Sequence, residues 1–270
     1  FETMFAIGED KDPRPYFDAF ANIILNHATL KVVEHSLIIT EIEFYYRTPD
    51  TGVHNDTYVH GDKDQLTNEC FYFHRQNGGA FRGGTFKGLD ITFGNGKDVY
   101  GGILIRAIML GEEYIEGPCR TVDKILELAN CDSIQALVKP YAQLPLSIND
   151  PNQIIHIEFT AEGRNHRTFK GARVGLTLPK DLDKLKLHYI MRPYRFTTYP
   201  NMTNKYRDVL ALQALKEYSE EDICACFEVK KHILTKWIKA MKTDRFTLNE
   251  IAQKGLDTID YRCALFALLQ

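Results

Sequence analysis

The chain has 270 residues, 44% hydrophobic and 11% aromatic, enough to bury a substantial core in one large domain or two small ones, which excludes a disordered chain. A net charge of -3 and a pI near 6.3 exclude an overall basic field, so any nucleic-acid surface has to be local. No apolar run reaches the length of a membrane span and no signal peptide is visible; six cysteines without a Cys-x-x-Cys pair fit reduced thiols and an intracellular protein, nuclear in a eukaryote and otherwise cytoplasmic.

In chain order, "YFDAFANIILNHATL" at 16–30 carries apolar residues at helical spacing and predicts an amphipathic helix. From about 32 to 110 the pattern turns to strands: "SLIITEIEFYYR", "FYFHR", "GLDITFG" and "YGGILIRAIML" are β-branched or aromatic runs bounded by Gly, Asp and Asn. "TVDKILELANC" predicts a helix with Thr121 as its cap, and "NQIIHIEFT", "GARVGLTL" and "LHYIMRPYRFTT" predict further strands. After about 203 the chain is almost purely helical. This is an α+β body at 1–202 with a helical extension at 203–270.

The stretch "GGAFRGGTFKGLDITFGNG" holds seven of the 18 glycines, a density that marks tight turning or close approach of backbone to something else. It is not a phosphate loop: no G-x-x-x-x-G-K-[ST] is present, and Val99 stands where a dinucleotide loop needs its third glycine. On the strand at 37–46, alternation puts Glu41, Glu43 and Tyr45 on one face and Ile42, Phe44 and Tyr46 on the other. Paired carboxylates on a strand are as often a solvated face as a site. The loop that follows packs His54, Asp56, His60, Asp62 and Asp64 together; the spacing of its histidines and aspartates matches no standard ligand set, so no metal is expected. His74 and Arg75 fit a hydrogen-bonded strand end. "RNHR" at 164–167, with Lys170 and Arg173 and beside Arg192 and Arg195, is the densest positive cluster and fits a solvated loop or a local phosphate-binding face.

In the extension, Ile223, Phe227, Val229, Leu234 and Trp237 occupy the apolar positions of a helix-turn-helix, and the second helix carries Lys230, Lys231, Lys236 and Lys239. Glu228, however, stands in the turn where glycine is favoured. With 11 Lys/Arg against 10 Asp/Glu over 204–270, an amphipathic bundle that completes the core or binds a protein partner is the favoured reading.

Five segments together resemble the methylpurine (3-methyladenine) DNA glycosylase family across about 37–200. They are "TEIEFYY" with His54 eleven residues after Glu43, "GGILIRAI", "YIEGPCRTVDKILEL", "GARVGLTL" and "MRPYRF", in the family's order. The resemblance implies a single α+β domain built on a curved antiparallel sheet. It also implies hydrolysis of the N-glycosidic bond of a modified purine in DNA or another nucleic acid or nucleotide, by base flipping and a carboxylate-activated water. Residue by residue, Glu43 matches the general base, Arg106 the arginine that helps hold the water, and Val174 the segment whose backbone carbonyl contacts it. Tyr45 and His54 match the pair that stack on or hydrogen-bond the flipped base, and Asp90 stands where the family has a pocket asparagine. Gly83 replaces the tyrosine that the family inserts into the duplex, and Ala80 replaces a third base-stacking aromatic. Arg82, Phe81 and Phe86 are the alternative wedges.

The expected nucleic-acid contacts are Arg82, Lys87, Arg173, Arg192 and Arg195. No cofactor is expected, and neither is a membrane. The expected partner is nucleic acid, DNA before RNA, single-stranded or damaged, bound by a monomer with residues 203–270 free for a protein partner. The alternative is a non-catalytic nucleic-acid or protein binding module that retains the glycosylase pocket.

Overall fold

The computed structural model describes residues 4–5, 7, 12–49, 53–141, 145–242 and 245–269. The fold is α+β with an antiparallel sheet, and it divides into two compact units. The first comprises 1–55 and 59–167, the second 56–58 and 168–270. The division falls well before 203, so the C-terminal helices share a unit with the segments around 169–197.

The first unit opens with helix α1 (Arg14–Asn22), which widens into a π turn at Ile23–His27 before the strand β1 (Ala28–Val32). The single helix expected over 16–30 therefore ends early, because β1 is drawn into antiparallel pairing with β2 (His35–Arg47). Three further strands extend the sheet on the other side of β2: β3 (Asn68–Phe73), β4 (Leu89–Phe93) and β5 (Tyr100–Leu110). Then come β6 (Glu113–Glu116), helices α2 (Pro118–Leu128) and α3 (Ile134–Val138), and β7 (Ile155–Phe159). The sheet order is β3-β4-β5-β2-β1-β7, with β6 also hydrogen-bonded to β5.

The long central pair β2–β5 runs from Arg47↔Tyr100 to Ile38↔Met109, and its register shifts on either side of Glu41. Such a bulge bends a strand and re-aims side chains locally. On one face of the sheet, Phe17 of α1 stacks on Phe44 with ring centroids 4.5 Å apart, and Tyr46 stacks on Phe93 at 5.5 Å. This aromatic core fixes which face of β2 is apolar, and so which face carries the glutamates. At α2, Gly117 adopts φ 108, a conformation open to glycine, and Pro118 supplies the first helical residue. Thr121 is consequently inside the first turn, its N–H bonded to the Gly117 carbonyl, and is not the cap.

In the second unit, β8 (Phe169–Gly171) pairs antiparallel with β9 (Arg195–Thr197). Residues 172–178 are not a strand, and the run 187–198 holds the end of helix α4 (Lys184–Ile190) before β9; both differ from the sequence expectation. Five helices follow: α5 (Arg207–Ala214), α6 (Glu220–Cys226), α7 (Lys231–Met241), α8 (Leu248–Lys254) and α9 (Ile259–Leu268). Leu210, Ile223, Phe227, Leu234, Cys263 and Leu265 are central to their common core.

Candidate active site

Four polar side chains meet on β2 and β5. Arg106 Nε donates to Glu41 Oε1 at 2.8 Å and lies 3.3 Å from Glu43 Oε1, while the Tyr45 hydroxyl donates to Glu43 Oε2 at 2.9 Å. The Glu41 and Glu43 side chains are 0% exposed and that of Arg106 is 6% exposed. Burial works against the arginine's charge, but Glu43 and then Glu41 outweigh it and hold the guanidinium well above its usual pKa. Arg106 is therefore a permanent cation shared between two carboxylates. The two oxygens of Glu43 are distinguished: one faces the guanidinium, the other accepts from a phenol. That fixes the carboxylate's rotation and gives it an ordered hydrogen-bonding surround.

Strand register extends this face. Glu43, Leu104, Asp90 and Tyr72 stand in one row across β2, β5, β4 and β3, and Tyr45, Gly102 and Thr92 in the next. Two strand spacings separate Glu43 from Asp90, about 10 Å between backbones. Gly102, opposite Tyr45, is where close packing forbids a side chain: a Cβ there would lie 2.5 Å from Asp90 Oδ2 and 2.9 Å from Gln65 Nε2. Asp90, buried, has Oδ1 2.7 Å from His74 Nε2 and accepts from Gln65 Nε2 at 3.2 Å. Gly88 admits the His74 ring, since a Cβ there would lie 2.5 Å from Nδ1. The His60 ring stands edge-on to His74 at 4.6 Å. Asp90 thus enters the site as one member of a hydrogen-bonded carboxylate–imidazole pair.

His54 takes a different place. Its Nδ1 is 2.9 Å from the Tyr46 carbonyl, and its ring packs 5.6 Å from Tyr46 and 6.3 Å from Phe17. The backbone N–H of Thr48 donates to the His54 carbonyl, and the Thr48 hydroxyl bonds both the N–H and the carbonyl of His54; together they close the loop and turn His54 toward the Tyr46 face. The structure brings Glu43, Tyr45 and Arg106 together and sets His54 with the aromatic core of the opposite face.

The glycine-rich segment is a surface excursion between β3 and β4. Arg75 and Phe81 form an antiparallel bridge, with the Arg75 guanidinium 4.1 Å from the Phe81 ring centroid, and Arg82 Nε donates to the Arg75 carbonyl at 3.0 Å. Lys87 pairs with Asp123. Phe86, in a 3-10 turn, is 71% exposed. Of the expected wedge residues, Phe81 and Arg82 are therefore engaged at the base of the excursion, and Phe86 projects into solvent.

In the second unit, the cationic surface expected from Arg173, Arg192 and Arg195 is reduced to Arg192. Arg173 is fully buried, paired with Asp56, with its guanidinium 5.7 Å from the Tyr58 ring centroid and 5.4 Å from that of Tyr194. Arg195 is also fully buried and donates to the Lys205 carbonyl at 2.8 Å. A guanidinium enclosed with its own partners cannot reach a phosphate outside, which corrects the expectation for both. Arg192 is half-buried, donates to the His188 carbonyl, and borders a cavity of about 510 Å³ also lined by Lys170, Lys184 and Lys216. Val174, beside Arg173 in sequence, is half-buried.

The polar loop spends its other acids on structure. Asp62 caps the 3-10 turn Lys63–Leu66, and Asp64 pairs with Arg75. Among the described residues, no three His, Cys, Asp or Glu side chains are grouped to hold a metal ion. Sequence reasoning gave no site role to Glu41 or Gln65 and read His74 only as part of a hydrogen-bonded strand end. Glu41 was marked by sharing a face with Glu43; the His74–Asp90–Gln65 set spans three segments and has no local signal.

No family model matches this sequence. The chain is 34% identical over 209 residues to uncharacterized protein L759 of Acanthamoeba polyphaga mimivirus, an alignment covering 72% of this chain and 91% of that protein. The chain belongs to the L759 family. Likeness at this level over most of L759 carries the shared fold; activity has to be argued from the side chains themselves. Among the described residues, no helix is long and apolar enough to cross a membrane.

Proposed function

We propose that this protein is an N-glycosylase that hydrolyses the glycosidic bond of a modified purine in nucleic acid, with Glu43 as the base that activates water. The observation that carries the reading is the Glu43–Arg106–Tyr45 constellation on one sheet face, with Glu43 and Arg106 buried and Tyr45 half-buried. The resemblance to methylpurine DNA glycosylases names the same three residues independently of their geometry. Cleavage at C1′ develops positive charge on the sugar. A fixed carboxylate both offsets that charge and takes the proton of the attacking water. An N-alkylated, cationic purine departs with the bonding electron pair as a neutral base, so no separate acid is required. Arg106 orients Glu43, and Glu41 balances Arg106 from the other side. DNA is the favoured nucleic acid, and an intracellular, nuclear or cytoplasmic, repair role follows from that substrate.

The specific support for the alternative, a binding module, is that both Glu43 oxygens already have protein neighbours. The two readings separate in one assay. Incubation with single- and double-stranded oligonucleotides carrying alkylated or deaminated purines should release free base, detected chromatographically. Glu43→Gln should abolish release while changing binding by no more than about tenfold, or about 1.4 kcal/mol. Binding without release by the unmodified protein, across the whole panel, would leave the binding module as the function.

A further inference from the structure

We propose that α6 and α7 form a helix-turn-helix whose second helix docks in the major groove of B-form DNA. This surface belongs to the second unit and shares no residue with the Glu43 site, and nothing in the glycosylase reading requires it.

The helices are joined by four residues, Phe227–Lys230, the length this motif uses. Position 228 is where the motif favours glycine, and Glu228 adopts the conformation glycine is chosen for, with φ 49. The sequence alone argues against the motif at this position, whereas the backbone has its turn. Ile223, Phe227, Leu234 and Trp237 are buried and lock the two helices together, and Ser219 caps α6 through the Asp222 N–H. These are the positions that the sequence pattern assigns to the inside of such a motif.

The outward face of α7 is cationic along its length. His232, Lys236, Lys239 and Lys242 are exposed or half-exposed and fall within about 120° of one another at the helical repeat. No Asp or Glu occurs from Val229 to Lys242, in a chain whose net charge is -3. Lys231 is the exception on this helix, since it pairs with Glu221 at 3.3 Å. Concentrating lysines on one helix of an otherwise acidic protein costs self-repulsion that a polyanion relieves. A second helix with an exposed basic face fits the width of the B-DNA major groove, while the deep, narrow major groove of A-form RNA does not admit a helix.

The test is fluorescence anisotropy of the full chain with a labelled DNA duplex of about 20 base pairs, about two helical turns. Lys236→Gln combined with Lys239→Gln should weaken binding by about tenfold and reduce the slope of log K against log salt by about two. Circular dichroism and thermal melting should show the double variant folded. Lys254→Gln, on α8, should bind within about twofold of the unmodified protein; the readout is duplex binding and not base release, so failure here and failure of the glycosylase reading are read separately. The proposal is overturned if the double variant keeps its affinity and salt slope. It is also overturned if duplex RNA of the same sequence binds equally well, or if polyglutamate of matched charge displaces the duplex at equal concentration, the behaviour of a dock for an acidic protein.

Discussion

At the scale of residues, the feature that stands out is a cation shared by two buried carboxylates. Removing ions from water is costly, and the cost is recovered only where geometry and hydrogen bonds are good. Arg106, Glu41, Glu43 and Tyr45 meet that condition. Deleting the cation leaves two buried carboxylates facing each other. Arg106→Met should therefore lower the unfolding free energy by about 3–5 kcal/mol, measured by urea denaturation at neutral pH. A change below about 1 kcal/mol would mean that the glutamates reach solvent or take up protons at little cost. Alternation in the sequence was enough to place Glu41 and Glu43 on one face. It did not say whether that face was wet. Burial was decided by the register that sets Glu43 against Leu104 and by the position of Arg106 beside the bulge at Glu41.

At the scale of elements, the excursion between β3 and β4 and the turn between α6 and α7 each carry a prediction. Gly83 has no side chain to fill a vacated base position, and unpairing a base costs a few kcal/mol that insertion would otherwise offset. We expect base release to be faster on unpaired or mismatched substrates than on paired duplex. Under the proposed glycosylase function, Phe86, 71% exposed, is the candidate for the missing role. Phe86→Ala should slow release from paired substrates by about tenfold and leave single-stranded substrates within about twofold, read from single-turnover rates. Equal effects on both would deny Phe86 an inserting role. At the second turn, a non-glycine residue at φ 49 sits in the left-handed region, which costs roughly 1–2 kcal/mol. Glycine relieves this but adds unfolded-state entropy, so Glu228→Gly should stabilise the second unit by about 0.5 kcal/mol, seen as a raised Tm. A loss of stability would indicate that the Glu228 contact with Asn201, at 3.1 Å, outweighs the strain.

At the scale of the whole molecule, buried ionisable groups set how stability depends on pH. The second unit encloses the Cys263 thiol and the Tyr194 phenol, and burial pushes each up to about 12, from 9.0 and 10.0. The native state then holds protons that the unfolded chain releases. The stabilisation from these groups is complete below about pH 9 and is lost as pH rises toward 12. For Cys263 alone this amounts to about 2 kcal/mol by about pH 10.5. Cys263→Ala should be less stable at neutral pH because of the small cavity, yet lose less stability between about pH 8 and 10.5. Parallel pH curves for the variant and the unmodified protein would remove Cys263 from the alkaline transition.

The sequence by itself determined the α+β class, the strand-rich first part, the helical end and the candidate carboxylate face. Each rests on local periodicity, which survives whatever surrounds it. The helix expected over 16–30 shows the limit: its last residues became β1 because β2 offered a partner, a gain no local window contains. Tertiary structure alone decided that His54 packs with Tyr46 and Phe17, and that Asp90 is held by His74 and Gln65. It also decided that Arg173 and Arg195 are internal, and that Glu228 adopts the left-handed conformation of the α6–α7 turn. These outcomes depend on which strand pairs with which and on what closes over a charge. Both are set by contacts between residues far apart in the chain, where composition and spacing have no reach.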